Sequence, residues 1–181
     1  MAVLYLPKSA TPPYQVVIYF PGSNAIQDRT TGAIENWTPQ FDFILKNGRA
    51  VLFPMYKGTF ERSDDLNSDY PAETAFYRDH VIMWAKDLGR SIDYLETRND
   101  IALDRTAYYG FSWGAALGAM WPAIEERIRL VISYVGGLYQ TRAFPKADQT
   151  NFLPRVKVPV PRVELIKEVL NWLDKYLGPV K

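Results

Sequence analysis

The sequence Tyr109-Gly110-Phe111-Ser112-Trp113-Gly114 is the most informative segment of the chain. It follows a short apolar run at residues 106–109 and precedes small residues at 115–119. This order is typical of a strand that turns sharply into a helix with a serine at the apex. The two glycines avoid collisions that a Cβ atom would cause, and the strained turn pushes the serine side chain clear of the backbone. The pattern predicts a nucleophile elbow at Ser112, and an incidental Gly/Ser turn is the alternative.

Length, charge and hydropathy limit the classes of protein that fit. The chain has 181 residues, enough for one domain with a sizeable core. Its 21 Lys and Arg residues nearly balance 20 Asp and Glu residues, and they form no basic stripe. We therefore expect no nucleic-acid partner. No apolar run reaches the roughly 18 residues that span a bilayer, so no membrane partner is expected either.

The chain contains no cysteine, which excludes disulfides, thiolate metal sites and cysteine nucleophiles. This composition fits a reducing compartment. Residues 1–7 lack the charged start and small-residue cleavage site of a signal peptide. We expect a cytoplasmic protein on these grounds, and the oligomeric state stays open.

Apolar runs and amphipathic segments alternate along the chain. Strands are predicted at residues 2–6, 15–20, 50–54, 107–109, 130–135 and 156–160. Helices are predicted at residues 37–46, 72–98, 113–120 and 163–177. This alternation predicts one α/β domain with a mainly parallel sheet and helices on both faces.

Parallel sheets of this kind place their chemistry at the carboxyl ends of the strands. Three such ends carry informative residues here: the loop at residues 22–24, the loop at residues 56–62 and the Ser112 turn. We expect them to converge on one site.

Together these segments resemble the α/β-hydrolase superfamily over nearly the whole chain. The residues that carry the resemblance are 16–24, Ile92-Asp93-Tyr94-Leu95 ahead of Asp104-Arg105, and Gly110-Phe111-Ser112-Trp113-Gly114. The likeness is to the branch that contains dienelactone hydrolases, acetyl xylan esterases and prolyl-oligopeptidase-like esterases. Dienelactone hydrolases carry cysteine at the position of Ser112, so the chain resembles their serine-using relatives.

The resemblance implies acyl transfer through a covalent ester on Ser112, with a small-molecule ester as substrate. It assigns the oxyanion hole to the backbone N–H groups of Trp113 and Ser23, with Asn24 as a near alternative to Ser23. An ordinary turn is the other interpretation of Pro21-Gly22-Ser23. Tyr56 and Asn24 are candidate substrate-binding residues, although core packing explains Tyr56 equally well.

No cofactor or metal is expected. The acidic residues of the second loop do not have the spacing of a calcium site, and no histidine joins them. These residues are Glu61, Asp64, Asp65 and Asp69.

The sequence departs from the family in the catalytic acid and base. In the family, an aspartate or glutamate and then a histidine follow the serine along the chain. No histidine follows Ser112. Asp148 is a candidate acid in a loop, whereas Asp174 is expected to be a solvated surface charge. The only histidine, His80, is expected to pack at the edge of the core on the long helix, and a role as substitute base is the alternative.

The absence of the acid and the base after Ser112 suggests that a segment of the fold is missing. Val160 is joined directly to Pro161, where the closing helix of the family would begin. A βαβ unit of roughly 30 residues is absent at this point. Either residues are missing between Val160 and Pro161, or the protein is a degenerate hydrolase with a true junction. The first interpretation is favoured because a strand that ends in Pro-Val-Pro leaves an open sheet edge.

The sequence therefore predicts a serine hydrolase of carboxylic esters whose fold is incomplete after Val160. The acid and the base are expected in the absent segment. A catalytically impaired, hydrolase-like binding or scaffold domain is the first alternative. A peptidase or acyltransferase on the same core is the second.

Overall fold

The computed structural model describes residues 1–180 and contains a twisted sheet of six strands. The strand order is β1-β3-β2-β4-β5-β6, and among these described strands only the β1–β3 pair is antiparallel. The bounds are β1 Ala2–Tyr5, β2 Tyr14–Phe20, β3 Ala50–Pro54, β4 Ile101–Phe111, β5 Leu130–Tyr134 and β6 Arg162–Val163. The predicted α/β class with a mainly parallel sheet is confirmed.

In the part of the chain that the structure describes, four α-helices cover the two faces of the sheet. They are α1 Asp42–Lys46, α2 Ala75–Glu96, α3 Trp113–Gly118 and α4 Ile166–Leu177. Apolar side chains of α2 and α3 belong to one core cluster, and those of α1 and α4 belong to the other. Within residues 1–180, no helix has both the length and the apolar character needed to cross a membrane.

Strand β2 lies at the centre of the sheet because its side chains are apolar on both faces. Val16, Ile18 and Phe20 enter the cluster under α2 and α3. Val17 and Tyr19 enter the cluster under α1 and α4. All five are fully buried, as expected for a parallel strand covered on both sides.

The predicted helix at residues 37–46 is wrong over its first half. The chain forms a 3-10 helix over Thr31–Gln40, and α-helix begins only at Asp42. Pro39 lies within the 3-10 segment and has no N–H to donate to the preceding turn. The backbone at Phe41, with φ of −144°, then interrupts the helical path.

The predicted strand at residues 156–160 is also wrong, because only Arg162–Val163 is a strand. Val131 and Ser133 donate backbone hydrogen bonds to the carbonyls of Pro159 and Pro161, so both prolines face β5. A proline has no N–H, and each therefore removes one return bond of the parallel ladder. Pairing with β5 runs through the Val160–Pro161 junction in a single register.

Candidate active site

Ser112 occupies the sharp turn between β4 and α3. Its backbone has φ of 51° and ψ of −103°, a conformation that few residues other than glycine adopt. Such strain persists only where the surrounding structure enforces it, and it occurs preferentially at functional sites.

The glycines that flank Ser112 are required by close backbone packing. A Cβ atom on Gly110 would lie 2.3 Å from the backbone carbonyl of Gly114, and one on Gly114 would lie 2.3 Å from the carbonyl oxygen of Phe20. These distances are far below contact distance, and backbone atoms of a central strand have no room to move. The strand–turn–helix geometry predicted from the sequence is present.

Backbone hydrogen bonds fix the turn between two neighbouring strands. Ser112 N–H donates to the carbonyl of Tyr134 at the end of β5, with an N···O distance of 2.9 Å. Gly114 N–H donates to the carbonyl of Pro21 after β2, at 3.0 Å. The turn is therefore held at the carboxyl edge of the sheet, beside the Pro21-Gly22-Ser23 loop.

Three backbone N–H groups at this edge have no acceptor among residues 1–180: those of Ser23, Asn24 and Trp113. A Cβ atom on Gly22 would lie 3.2 Å from the ring of Phe111, which places the loop that holds Ser23 against the turn. Ser112 is half-buried, and its Oγ bonds to no described residue. The edge therefore combines an available hydroxyl with available N–H donors.

The two predicted substrate-binding residues have different surroundings. Asn24 is exposed in the loop after β2. Tyr56 is fully buried, stacks on Phe20 with ring centroids 3.9 Å apart, and bonds to the carbonyl of Tyr19. Long-range packing of the loop after β3 places the Tyr56 side chain in the core, which fits the core-packing alternative for this residue.

His80 packs at the edge of the core on α2, as predicted from the sequence, and is 3% exposed. Its Nδ1 lies 2.9 Å from the carbonyl oxygen of Phe76, and its Nε2 lies 3.0 Å from a carboxylate oxygen of Asp64. Both ring nitrogens thus face oxygen acceptors within the protein. His80 is therefore not available to take a proton from Ser112 in this arrangement.

Asp64 links His80 to the loop after β3, so the expectation that no histidine joins the acidic residues of this loop is wrong. Burial alone would raise its pKa, but hydrogen bonds from Lys57, Leu66 and His80 outweigh burial and lower the pKa. Lys57 Nζ lies 2.7 Å from Asp64. The contact between Asp64 and His80 thus joins the loop to α2.

Glu61 secures the same loop at another point. It accepts hydrogen bonds from the backbone and hydroxyl of Thr31 and from the hydroxyl of Thr30, which lower its pKa to about 2. Among residues 1–180, no group of three or more histidine, aspartate or glutamate side chains is placed to hold a metal ion.

Asp174 differs from the sequence-based expectation. It is half exposed on α4, but its Oδ1 lies 2.7 Å from Nη2 of Arg49, which is fully buried. It is therefore one side of an ion pair and not a free, solvated charge.

Asp148, the candidate acid, is a structural carboxylate. It is 4% exposed and accepts hydrogen bonds from Thr150, Arg142 and the backbone of Ala143. Burial alone would raise its pKa, but these hydrogen bonds outweigh burial and lower the pKa to about 2. Its carboxylate oxygens are already used within the loop after β5.

We expect Asp148→Asn to destabilise the protein at neutral pH by about 1–2 kcal/mol. A carboxylate whose pKa is lowered in the folded state contributes stability that is complete above its unfolded pKa and is lost as pH falls through its folded pKa. The difference from wild type should therefore shrink between about pH 4 and pH 2. Urea unfolding across this pH range measures the difference in stability, and Asp65→Asn at an exposed position is the control. A difference independent of pH would contradict the assignment.

A groove that the sequence did not predict lies beside the turn. Its volume is about 600 Å³, and small or apolar side chains form most of its wall. A Cβ atom on Gly136 would lie 2.6 Å from both the Cβ of Ala115 and the carbonyl oxygen of Ser112, so the groove begins next to the turn. The Gly136-Gly137 pair after β5 was the available signal. The residues that line the groove include Ala115, Ala119, Gly136, Leu138, Leu153 and Val160.

Strained backbone next to Ser112 was missed as well. Val135 has φ of 53° at the end of β5, one residue beyond the carbonyl that accepts the Ser112 N–H bond. A β-branched residue in this region is a true outlier. Its strain lies at the same edge of the sheet as that of Ser112.

No protein-family model matches the sequence, and no curated protein is similar to it in sequence. Solved structures do share its architecture. A protein from Klebsiella pneumoniae subsp. pneumoniae MGH 78578, assigned as a dienelactone hydrolase, is 16% identical over 97% of this chain and 73% of its own chain, with a TM-score of 0.64.

Two further structures are similar over a large part of the chain. The Est1E protein of Butyrivibrio proteoclasticus, bound to ferulic acid, is 13% identical over 98% of this chain and 82% of its own, with a TM-score of 0.55. An acetyl xylan esterase from Paenibacillus sp. R4 is 19% identical over 85% of this chain and 52% of its own, with a TM-score of 0.52. The chain thus spans about half the length of that esterase.

These proteins have the α/β-hydrolase fold, and at such low identity the likeness is one of fold. The sequence-based prediction of this fold is confirmed.

Proposed function

Starting from the α/β-hydrolase fold of this chain, we propose that the protein is a hydrolase that cleaves carboxylic esters through an acyl-enzyme on Ser112. The observation that carries the proposal is the strained backbone of Ser112, enforced by two glycines that no larger residue can replace. Strain of this kind at the end of a central strand is the geometry of a nucleophile elbow.

In the proposed reaction, Ser112 Oγ attacks the ester carbonyl carbon and forms a new C–O bond. The bond to the alcohol oxygen then breaks, and the serine proton passes to the leaving alcohol. Negative charge that develops on the carbonyl oxygen is met by the free N–H groups of Trp113 and Ser23. Loss of one such donor typically costs about 3 kcal/mol of transition-state stabilisation. Water then hydrolyses the acyl-enzyme and restores Ser112.

The groove that begins at Gly136 supports the proposal that the substrate carries an apolar group. Its walls are mostly small and aliphatic side chains, and they begin within one turn of α3 from Ser112. An aliphatic or aryl group of the ester would be removed from water there, which is the usual source of affinity for such groups. Exposed Asn24 lies on the opposite side of the turn, in the loop after β2, and is proposed to contact the substrate.

The proton acceptor is proposed to come from outside this chain of 181 residues. No histidine follows Ser112 in the sequence, and both ring nitrogens of His80 are engaged elsewhere. We therefore expect the chain by itself to hydrolyse esters slowly, through the nucleophile and the N–H donors alone. The same observation favours the second candidate function, a non-catalytic domain that keeps the hydrolase fold for binding.

Chemical rescue separates the two functions. Imidazole added to the chain should supply the base and accelerate p-nitrophenyl acetate hydrolysis by at least tenfold more than it does with Ser112→Ala. Ser91→Ala is the matched control, because this buried serine on α2 bonds to the carbonyl of Asp87 and lies outside the groove beside Gly136. Equal rates for the chain and Ser112→Ala at all imidazole concentrations would support the binding domain. Faster cleavage of peptide amides than of esters would point to a peptidase.

A further inference from the structure

A second apolar groove lies between α2 and the segment that follows α3. Its volume is about 340 Å³, within the range of small-molecule sites. Ser112, Trp113 and Ser23 are not among its lining residues, so it is separate from the candidate active site. Its apolar walls include Val81, Ile82, Ala85, Trp121, Ile124 and Phe152.

Two lysines complete the lining of this groove. Lys86 on α2 and Lys146 in the loop after β5 are both exposed, and neither has an ion-pair or hydrogen-bond partner among residues 1–180. A third cation lies close by, since the guanidinium of Arg155 is 5.2 Å from the centre of the Phe152 ring. The apolar walls are thus bordered by positive charge that no described acidic group neutralises through an ion pair.

Most acidic residues around the groove are paired with arginine and therefore do not offset these charges. Four of the five that lie within two positions of a lining residue are in ion pairs with arginine, and the exception is Glu126. The pairs are Asp79 with Arg78, Asp87 with Arg62, Glu125 with Arg127, and Asp148 with Arg142. Lys86 and Lys146 therefore remain available to an anion.

We infer that this groove binds a free carboxylate amphiphile, a medium-chain fatty acid, with its alkyl chain along the apolar walls and its carboxylate between Lys86 and Lys146. Burial of the chain supplies affinity that depends on its length. The two ammonium groups supply selectivity for an anionic head group. An anionic membrane surface fits less well, since recognition of such a surface typically uses four to eight clustered basic residues. The inference does not depend on the chemistry of Ser112.

Titration of the ¹⁵N-labelled chain with decanoate, decanol and decyltrimethylammonium tests the site by NMR. Decanoate should shift the amide signals of residues 81–86, 120–124 and 146–152, and bind at least tenfold more tightly than the cationic amphiphile. Lys86→Glu with Lys146→Glu should weaken decanoate binding about tenfold and leave decanol binding within twofold of wild type. Ala85→Trp should fill the groove and abolish binding of both.

The matched control is Lys157→Glu with Lys167→Glu, which changes the net charge equally at two exposed lysines outside the groove. It should leave decanoate binding unchanged. Equal weakening by both double variants, or chemical shifts confined to the groove beside Gly136, would overturn the inference. Binding to anionic vesicles in preference to monomeric decanoate would overturn it as well.

Discussion

Replacing Gly114 with alanine is expected to prevent stable folding, or to lower the free energy of unfolding by about 4–5 kcal/mol. The new Cβ would lie 2.3 Å from the carbonyl oxygen of Phe20 and 2.8 Å from its carbonyl carbon. Phe20 ends the central strand, pairs with Gly110 of β4 and is fully buried, so it cannot move aside without disturbing the sheet. Urea unfolding followed by far-UV circular dichroism measures the loss.

Gly137→Ala is the matched control for this substitution. It lies at the same edge of the sheet, after β5, and a Cβ there would meet no atom within 4 Å. Its stability should stay within about 0.5 kcal/mol of wild type. If Gly114→Ala were as stable as Gly137→Ala, the close packing that forces the turn at Ser112 would be refuted.

Replacing Arg49 with methionine is expected to destabilise the protein by about 2–4 kcal/mol. Arg49 is fully buried, and its guanidinium donates to Gln15 at 2.8 Å, Asp174 at 2.7 Å and the carbonyl of Gly178 at 2.9 Å. Asn47 is a further partner. Removing the guanidinium leaves several acceptors unpaired and releases the end of α4 from the sheet.

Arg90→Met provides the comparison, because Arg90 is 86% exposed and its carboxylate partner Asp93 lies 3.6 Å away. An exposed pair of this kind contributes little, so its loss should change stability by less than about 0.5 kcal/mol. Urea unfolding of both variants at neutral pH measures the two losses of stability. An Arg49→Met protein no less stable than Arg90→Met would contradict the role assigned to the buried network.

The parts of the fold that the sequence predicted well are those set by local pattern. The continuous apolar run of β2 and the helical spacing in α2 each specify one element without reference to distant residues. The turn at Ser112 is local in the same sense, because its two glycines and its serine lie within five consecutive positions.

The predictions that failed depended on proline or on distant contacts. Pro39 delays the start of α1, and with two prolines facing β5 the last strand forms at Arg162–Val163 and not at the predicted residues 156–160. The ion pair between Arg49 and Asp174 joins residues 125 positions apart, and no local pattern reports such a contact. The burial of Tyr56 against Phe20 is likewise a result of tertiary packing.

The candidate site was predictable only in part for the same reason. The order of residues around Ser112 locates the nucleophile and one N–H donor next to it. The position of the Ser23 loop depends on the Gly114–Pro21 hydrogen bond, and the groove beside Gly136 depends on how the loop after β5 folds back over α3. Neither arrangement is encoded in a short stretch of sequence.

Labelling with a fluorophosphonate probe in the presence of imidazole tests whether Ser112 is a nucleophile. Mass spectrometry then locates the modified residue. The proposed chemistry predicts one phosphonyl group per chain, attached to the peptide that contains Ser112, and no labelling of Ser112→Ala. An unlabelled chain, or equal modification of wild type and Ser112→Ala, would contradict a nucleophilic role for Ser112.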